Sequence, residues 1–259
     1  MAPVQKKLLS AAALVLVWCM VWEIAFLLSG KEAWEFTPPD RVFTALWNGL
    51  LDLTIVRGLA VSLARVGYGF AMSLFLGVGI GLLLVASKWF NWLCGPLVLG
   101  VQSLPSICWL PVAILRFGIG ETAILFVVIM GSVGSIAMAT RDGLRQVPAS
   151  YQRVASTFGT NMSQRLMWVS IPAALPTFVS GLKQGWSFAW RSLLAGELLY
   201  KMAGRYSMGS LLSEARENTD YPSMFAVMIL LVCVSVLVDK VFFSRLEERV
   251  RARWGLAAR

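Results

Sequence analysis

Six apolar runs, each close to 20 residues and bounded by polar or turn-forming residues, constrain this chain most: 8–28, 62–86, 93–115, 122–139, 173–199 and 224–243. A helix rises about 1.5 Å per residue, so about 20 residues cross the roughly 30 Å hydrocarbon core of a bilayer. With 259 residues, 58% of them hydrophobic and 14% charged, the chain has too little interior to hide that apolar surface from water. It reads as an all-α polytopic membrane protein with about six transmembrane helices. Soluble-enzyme and DNA-binding readings drop out, so no nucleic-acid partner is expected. Histidine is absent, which removes imidazole metal ligands and the commonest general base. Cys19, Cys94, Cys108 and Cys233 lie in apolar runs without C-x-x-C spacing, as small hydrophobes do rather than a zinc site or disulfide framework. No catalytic residue and no metal site is expected.

The first run follows Lys6 and Lys7, which also suits a signal peptide, but it is long for one and no A-x-A pattern follows; a retained span is expected. In the second, Ser73, Gly77 and Gly81 are spaced four apart and line one face for close helix approach. The third contains Pro96, Pro105 and Pro111, so its hydrogen-bond ladder must bend or break. The stretch 140–172, with Arg141, Arg145, Arg153 and Arg165, is too polar to cross. The expected division is 1–61 (first span and outer-face loop), 62–243 (transmembrane core, with the loop 140–172) and 244–259 (basic cytoplasmic tail). Alternate loops carry twelve against seven Lys and Arg, and the richer set includes both ends, so both termini are expected in the cytoplasm of an inner-membrane protein. In the outer loop, Pro38-Pro39-Asp40 precedes a weakly amphipathic stretch with Val42, Leu46, Leu50 and Leu53, expected along the outer membrane face.

Within 140–172, Pro148 suits the start of a helix and Gly159 the left-handed position past its end. Two to three helical turns fit between them. Tyr151, Val154, Ala155 and Phe158 form one apolar stripe, with Gln152, Arg153, Ser156 and Thr157 opposite. Such a helix can lie in the lipid interface or dock another protein.

Ala155, Gly159, Val169, Ile171 and Pro172 match the spacing of the EAA loop of ABC importer permeases, E-A-A-x3-G-x9-I-x-L-P. Further blocks are similar to the nitrate, sulfonate, taurine and bicarbonate permease group: 62–66, Leu104-Pro105, 117–121, Gly181-Leu182-Lys183 through Trp190 to Glu197-Leu198, and Asp239 before Leu246-Glu247. Arg153 and Val154 depart from the motif's Glu and Ala. The resemblance covers nearly the whole chain. It implies a type I ABC importer permease fold, a role as the permease subunit of a binding-protein-dependent importer, and a small anion as cargo. It implies that residues 150–164 form a coupling helix on a cytoplasmic ATPase dimer, with Tyr151, Val154, Ala155, Phe158, Gly159, Thr160 and Asn161 at the contact. It further implies a second permease copy as a homodimer, a periplasmic or lipid-anchored binding protein and membrane lipid as partners, and ATP and Mg on the ATPase, not here. The chain has no G-x-x-x-x-G-K-[ST] phosphate loop: Gly204 and Gly209 have the spacing, but Ser210 stands where Lys is needed.

Lys183 falls inside the fifth run, with Trp186 and Trp190 on a similar face. Two readings stand: a cationic, aromatic-lined translocation pathway, or a structurally paired lysine beside packing tryptophans. Arg191 and Glu197 read as interface markers, and Arg65 and Glu23 as members of structural ion pairs. Alternative functions are a secondary transporter, which should show inverted repeats, a permease for another small nutrient, and a membrane-embedded enzyme, which should show clustered carboxylates or histidines. Neither signature is found.

Overall fold

The computed structural model describes residues 13, 17–28, 30, 37–199 and 206–253. The start of the first run, Lys6, Lys7, Gly204 and the end of the tail lie outside the described residues. Apart from short connections, the described chain is helical: α1 (Val17–Leu28), α2 (Pro39–Leu51), α3 (Thr54–Ala86), α4 (Lys88–Ser103), a 3-10 turn (Ser106–Trp109), α5 (Leu110–Phe117), α6 (Glu121–Arg145), α7 (Ala149–Thr157), α8 (Met162–Arg165), α9 (Ile171–Leu199), α10 (Met208–Glu217), α11 (Tyr221–Val238) and α12 (Ser244–Arg253). π-helical turns at Leu166–Ser170 and Asp239–Phe243 join α8 to α9 and α11 to α12, giving continuous helices Met162–Leu199 and Tyr221–Arg253.

Among the described residues, four helices are long and apolar enough to cross a bilayer: α3, α6, Met162–Leu199 and Tyr221–Arg253. A fifth crossing counts α4 with the segment Ser106–Phe117, bent by 103°. Of the first run, Val17–Leu28 is described, as an apolar helix. The observed helices outrun the apolar runs. The second begins at Thr54 instead of 62, and the fourth continues to Arg145 instead of 139. Hydropathy marks where lipid contact stops, whereas a helix continues for as long as its hydrogen bonds and tertiary contacts hold. At the third run, Pro105 sits at the break, Pro111 occupies the first turn of α5, where its missing N–H costs nothing, and Pro96 lies within α4.

α6 is the central helix. In its apolar window 61% of residues are buried, against 17–28% in the other three spans, so those present large faces outward. α3 reaches α6 through its small residues: a β-carbon at Gly77 would come within 2.8 Å of Ile136 Cβ, and one at Gly81 within 2.6 Å of the Ala137 carbonyl. Beside them Ser132 Oγ lies 2.7 Å from Ser73 Oγ and 2.8 Å from the Val128 carbonyl, its single proton serving one or the other. On the other side Val66, Val128, Ala189, Trp190, Leu193 and Leu231 build the main apolar core between α3, α6, α9 and α11. α2 and α10 cap one end of the bundle, and α7 stands at the other.

A coupling-type loop and the charges inside the bundle

α7 occupies the predicted interval. Pro148 precedes its first turn with φ −57° and ψ 136°, and Gly159 lies past its end at φ +70°. No heavy atom stands within 4 Å of a β-carbon built at Gly159, so backbone conformation alone favours glycine there. The following turn is pinned by Thr160 Oγ1, which donates to the Ala155 carbonyl at 2.7 Å, and by a reciprocal cap. Asn161 Oδ1 accepts from the Gln164 amide at 2.8 Å, and the Asn161 amide donates to Gln164 Oε1 at 3.0 Å. Of the predicted stripe, Ala155 is buried, whereas Tyr151, Val154 and Phe158 are 50%, 57% and 81% exposed. Met162, Met167 and Trp168 extend the uncovered apolar surface beyond Gly159. A short helix fixed at both ends and presenting an unburied apolar face suits mechanical contact with another body.

Lys183 meets a carboxylate, not an indole: its Nζ lies 2.8 Å from Asp239 Oδ1, on the π-turn after α11. Trp186 stacks on Trp190 at 6.5 Å and 16°, with Phe70 and Phe243 against its other edges. Trp190 is buried in the main core, so the three predicted pathway residues run from a half-exposed ion pair into packed interior.

Arg65 is in a structural ion pair, as its sequence position suggested, but its partners were not foreseen. Glu197, read as an interface marker, is fully buried. Its carboxylate accepts from Arg65 Nη1 at 3.0 Å, from Ser62 Oγ at 2.8 Å and from the Gly209 amide at 3.1 Å, and Arg65 Nη2 also meets Glu121 at 3.1 Å. One ion cluster thus ties α3, α6, α9 and α10. Gly209 is part of it because a β-carbon there would stand 2.8 Å from the Glu197 carbonyl carbon. Helix packing thus accounts for the glycine at 209. At the same end of the bundle, a recess of about 660 Å³ between α2, α10 and α11 is edged by Arg41, Asn48, Asp52, Glu214 and Asn218. α2 begins at Pro39, buries Val42, and leaves Phe43, Trp47 and Leu51 exposed. Among the described residues no group of His, Cys, Asp and Glu could hold a metal ion.

The family model of the binding-protein-dependent transport system inner membrane component matches residues 69–252. The bicarbonate transport system permease protein CmpB of Synechococcus elongatus is 27% identical over 237 residues, 87% of this chain and 84% of that protein. The taurine transport system permease protein TauC of Escherichia coli is 26% identical, over 88% of this chain and 82% of that one. The nitrate import permease protein NrtB of a Synechocystis species is 27% identical, over 94% and 90%. Among solved structures, an inward-facing form of the MetNI methionine ABC transporter superposes with a TM-score of 0.68 at 20% identity, covering 77% of this chain and 97% of that chain. An amino acid ABC transporter with histidines gives 0.66 at 15%, over 79% and 97%. The fold is that of the type I importer permeases. The chain belongs to the binding-protein-dependent transport system inner membrane components, as the permease subunit of an importer whose ATP is hydrolysed by a separate subunit.

Proposed function

We propose that this permease carries a small oxyanion and is driven through residues 150–164 by an ATPase seated on α7. The observation that carries the docking reading is the apolar surface of Tyr151, Val154 and Phe158, which the chain leaves uncovered on a helix fixed by Gly159 and the Asn161–Gln164 cap. Ala155, Gly159, Thr160 and Asn161 set the shape of that surface. A body that moves when ATP binds can shift such a helix as a rigid lever, which changes the side to which the pathway opens.

The cargo class is supported by the relatives, whose names specify bicarbonate, nitrate and taurine. Each of these carries a compact group of negatively charged oxygens. Lys183, with Asp239 against it and Trp186 and Trp190 behind, forms one wall of the route. Two copies assemble about a two-fold axis, because the outward faces of α3 and α9 leave extensive apolar surface for a partner permease and for lipid. Both termini face the cytoplasm, and the α2 end with its polar recess receives the binding protein. Residues 1–61, 62–243 and 244–259 act as entry segment, translocating core and basic tail.

The test is co-expression with the ATPase. Gly159→Glu is expected to leave the chain in the membrane but to lower ATPase co-purification at least fivefold, and unchanged recovery with unchanged transport counts against docking at α7.

A further inference from the structure

A cation at membrane depth needs a carboxylate, water or a ligand beside it. The two cations of α9 differ in this respect. Lys183 is neutralised by Asp239, whereas Arg191, about 12 Å further along the helix by its rise, makes no ion pair among the described residues. Arg191 is nonetheless held in place. Its Nε donates to the Ser187 carbonyl at 3.2 Å, and its guanidinium carbon lies 4.8 Å above the Phe188 ring. Both contacts are to its own helix, and its Nη groups keep their donors.

Arg191 borders a cavity of about 380 Å³ at the bend between α4 and α5, with Gln102, Ser106, Gly131, Phe188 and Ser192 on the other walls. Three further observations mark this cavity as more than loose packing. Gln102 Oε1 is buried without a hydrogen-bond partner, and an amide can turn to offer either donor or acceptor. Glycine at 131 brings α6 directly against Ser192 and Ser106, since a β-carbon there would collide with Ser192 Oγ and lie 3.2 Å from Ser106 Cβ, so the two hydroxyls on the cavity are held close together. Finally, helix-free backbone at membrane depth persists where it is covered by protein or lines a water-filled space, and the bend at Leu104-Pro105 places such backbone on this cavity.

We infer that the cavity is a cargo subsite in which the Nη donors of Arg191 hold a small oxyanion, with the Ser106 hydroxyl and the Gln102 amide completing its shell. A planar guanidinium donates two parallel hydrogen bonds to carboxylate, nitrate or sulfonate oxygens, which a lysine ammonium cannot match. The permease then adds its own selection for anions after the binding protein has released its load. This inference rests on the oxyanion reading above.

The test uses the complete importer, permease with ATPase and binding protein, in proteoliposomes offered nitrate, bicarbonate or taurine as separate probes. Wild type that imports none of the three overturns the oxyanion reading itself. With a probe that wild type imports, Arg191→Gln is expected to lower uptake at least tenfold while ATP hydrolysis stimulated by loaded binding protein stays within twofold. Arg191→Lys should recover part of the uptake. Uptake by Arg191→Gln within twofold of wild type overturns the subsite. So does a parallel loss of uptake and stimulated hydrolysis, which assigns Arg191 to folding or coupling instead.

Discussion

Lys183 on α9 and Asp239 on the π-turn after α11 face each other at 2.8 Å, joining two spans that are 56 residues apart in sequence at a point where both side chains are half-exposed. Removing one partner strands the other charge at membrane depth, where a lone ion costs about 2.5–3.5 kcal/mol. Asp239→Asn and Lys183→Met are each expected to destabilise the permease by about 2 kcal/mol, and the double variant to recover most of that loss. Denaturation in detergent measures the cycle. If Lys183 also lines the cargo route, the recovered double variant still transports several-fold more slowly.

The buried carboxylate of Glu197 has three donors of different kinds: a guanidinium, a hydroxyl and a backbone amide. Breaking a buried ion pair from one side costs about 3–5 kcal/mol, because the remaining charge is left uncompensated. Glu197→Ala is expected to lose stability on that scale. Glu197→Gln should lose less, since its amide oxygen still accepts from Ser62 and Gly209. Thermal unfolding of the purified complex separates the two.

At Gly159 the backbone φ of +70° costs roughly 1–2 kcal/mol for an ordinary L-residue, while asparagine tolerates it. Gly159→Val is therefore expected to reshape the turn and weaken ATPase recovery in pull-down, and Gly159→Asn to retain it. No heavy atom of this chain stands within 4 Å of a β-carbon there, so valine meets no crowding from the permease itself.

The two faces of α3 make a matched pair. Gly81 lies against Ala137 and Thr140 of α6, whereas a β-carbon at Gly79 meets nothing within 4 Å. Gly81→Val is expected to cost about 1–3 kcal/mol by overpacking. Gly79→Val should leave chain stability within about 0.5 kcal/mol. A comparison of melting curves for the two variants checks this.

The features legible in the sequence were local ones. Pro148 and Gly159 bracket α7 because each acts on the backbone at its own position, and the stripe at Tyr151, Val154, Ala155 and Phe158 follows from helical period alone. The spacing of Ser73, Gly77 and Gly81 announced close approach without naming α6 as the neighbour. What stayed hidden depends on distant pairing. Glu197 looked like an interface marker because its partner Arg65 is 132 residues away. The cavity beside Arg191 was equally hidden, since only the bend of α4 onto α6 and α9 creates it. Helix ends were misjudged for a related reason: Arg145 continues α6 past the apolar run, and its Nη2 donates to the Leu84 carbonyl at 3.2 Å on α3.

The 132-residue separation of Arg65 and Glu197 has a consequence for biogenesis. A ribosome adds roughly 5–20 residues per second, so Arg65 emerges about 3–11 s before Glu121, 56 residues on, and about 7–26 s before Glu197, which completes its neutralisation. During that interval the guanidinium must be sheltered by water, lipid phosphate or the insertion machinery. α3 therefore reaches its final electrostatic setting only after α6 and then α9 have followed it.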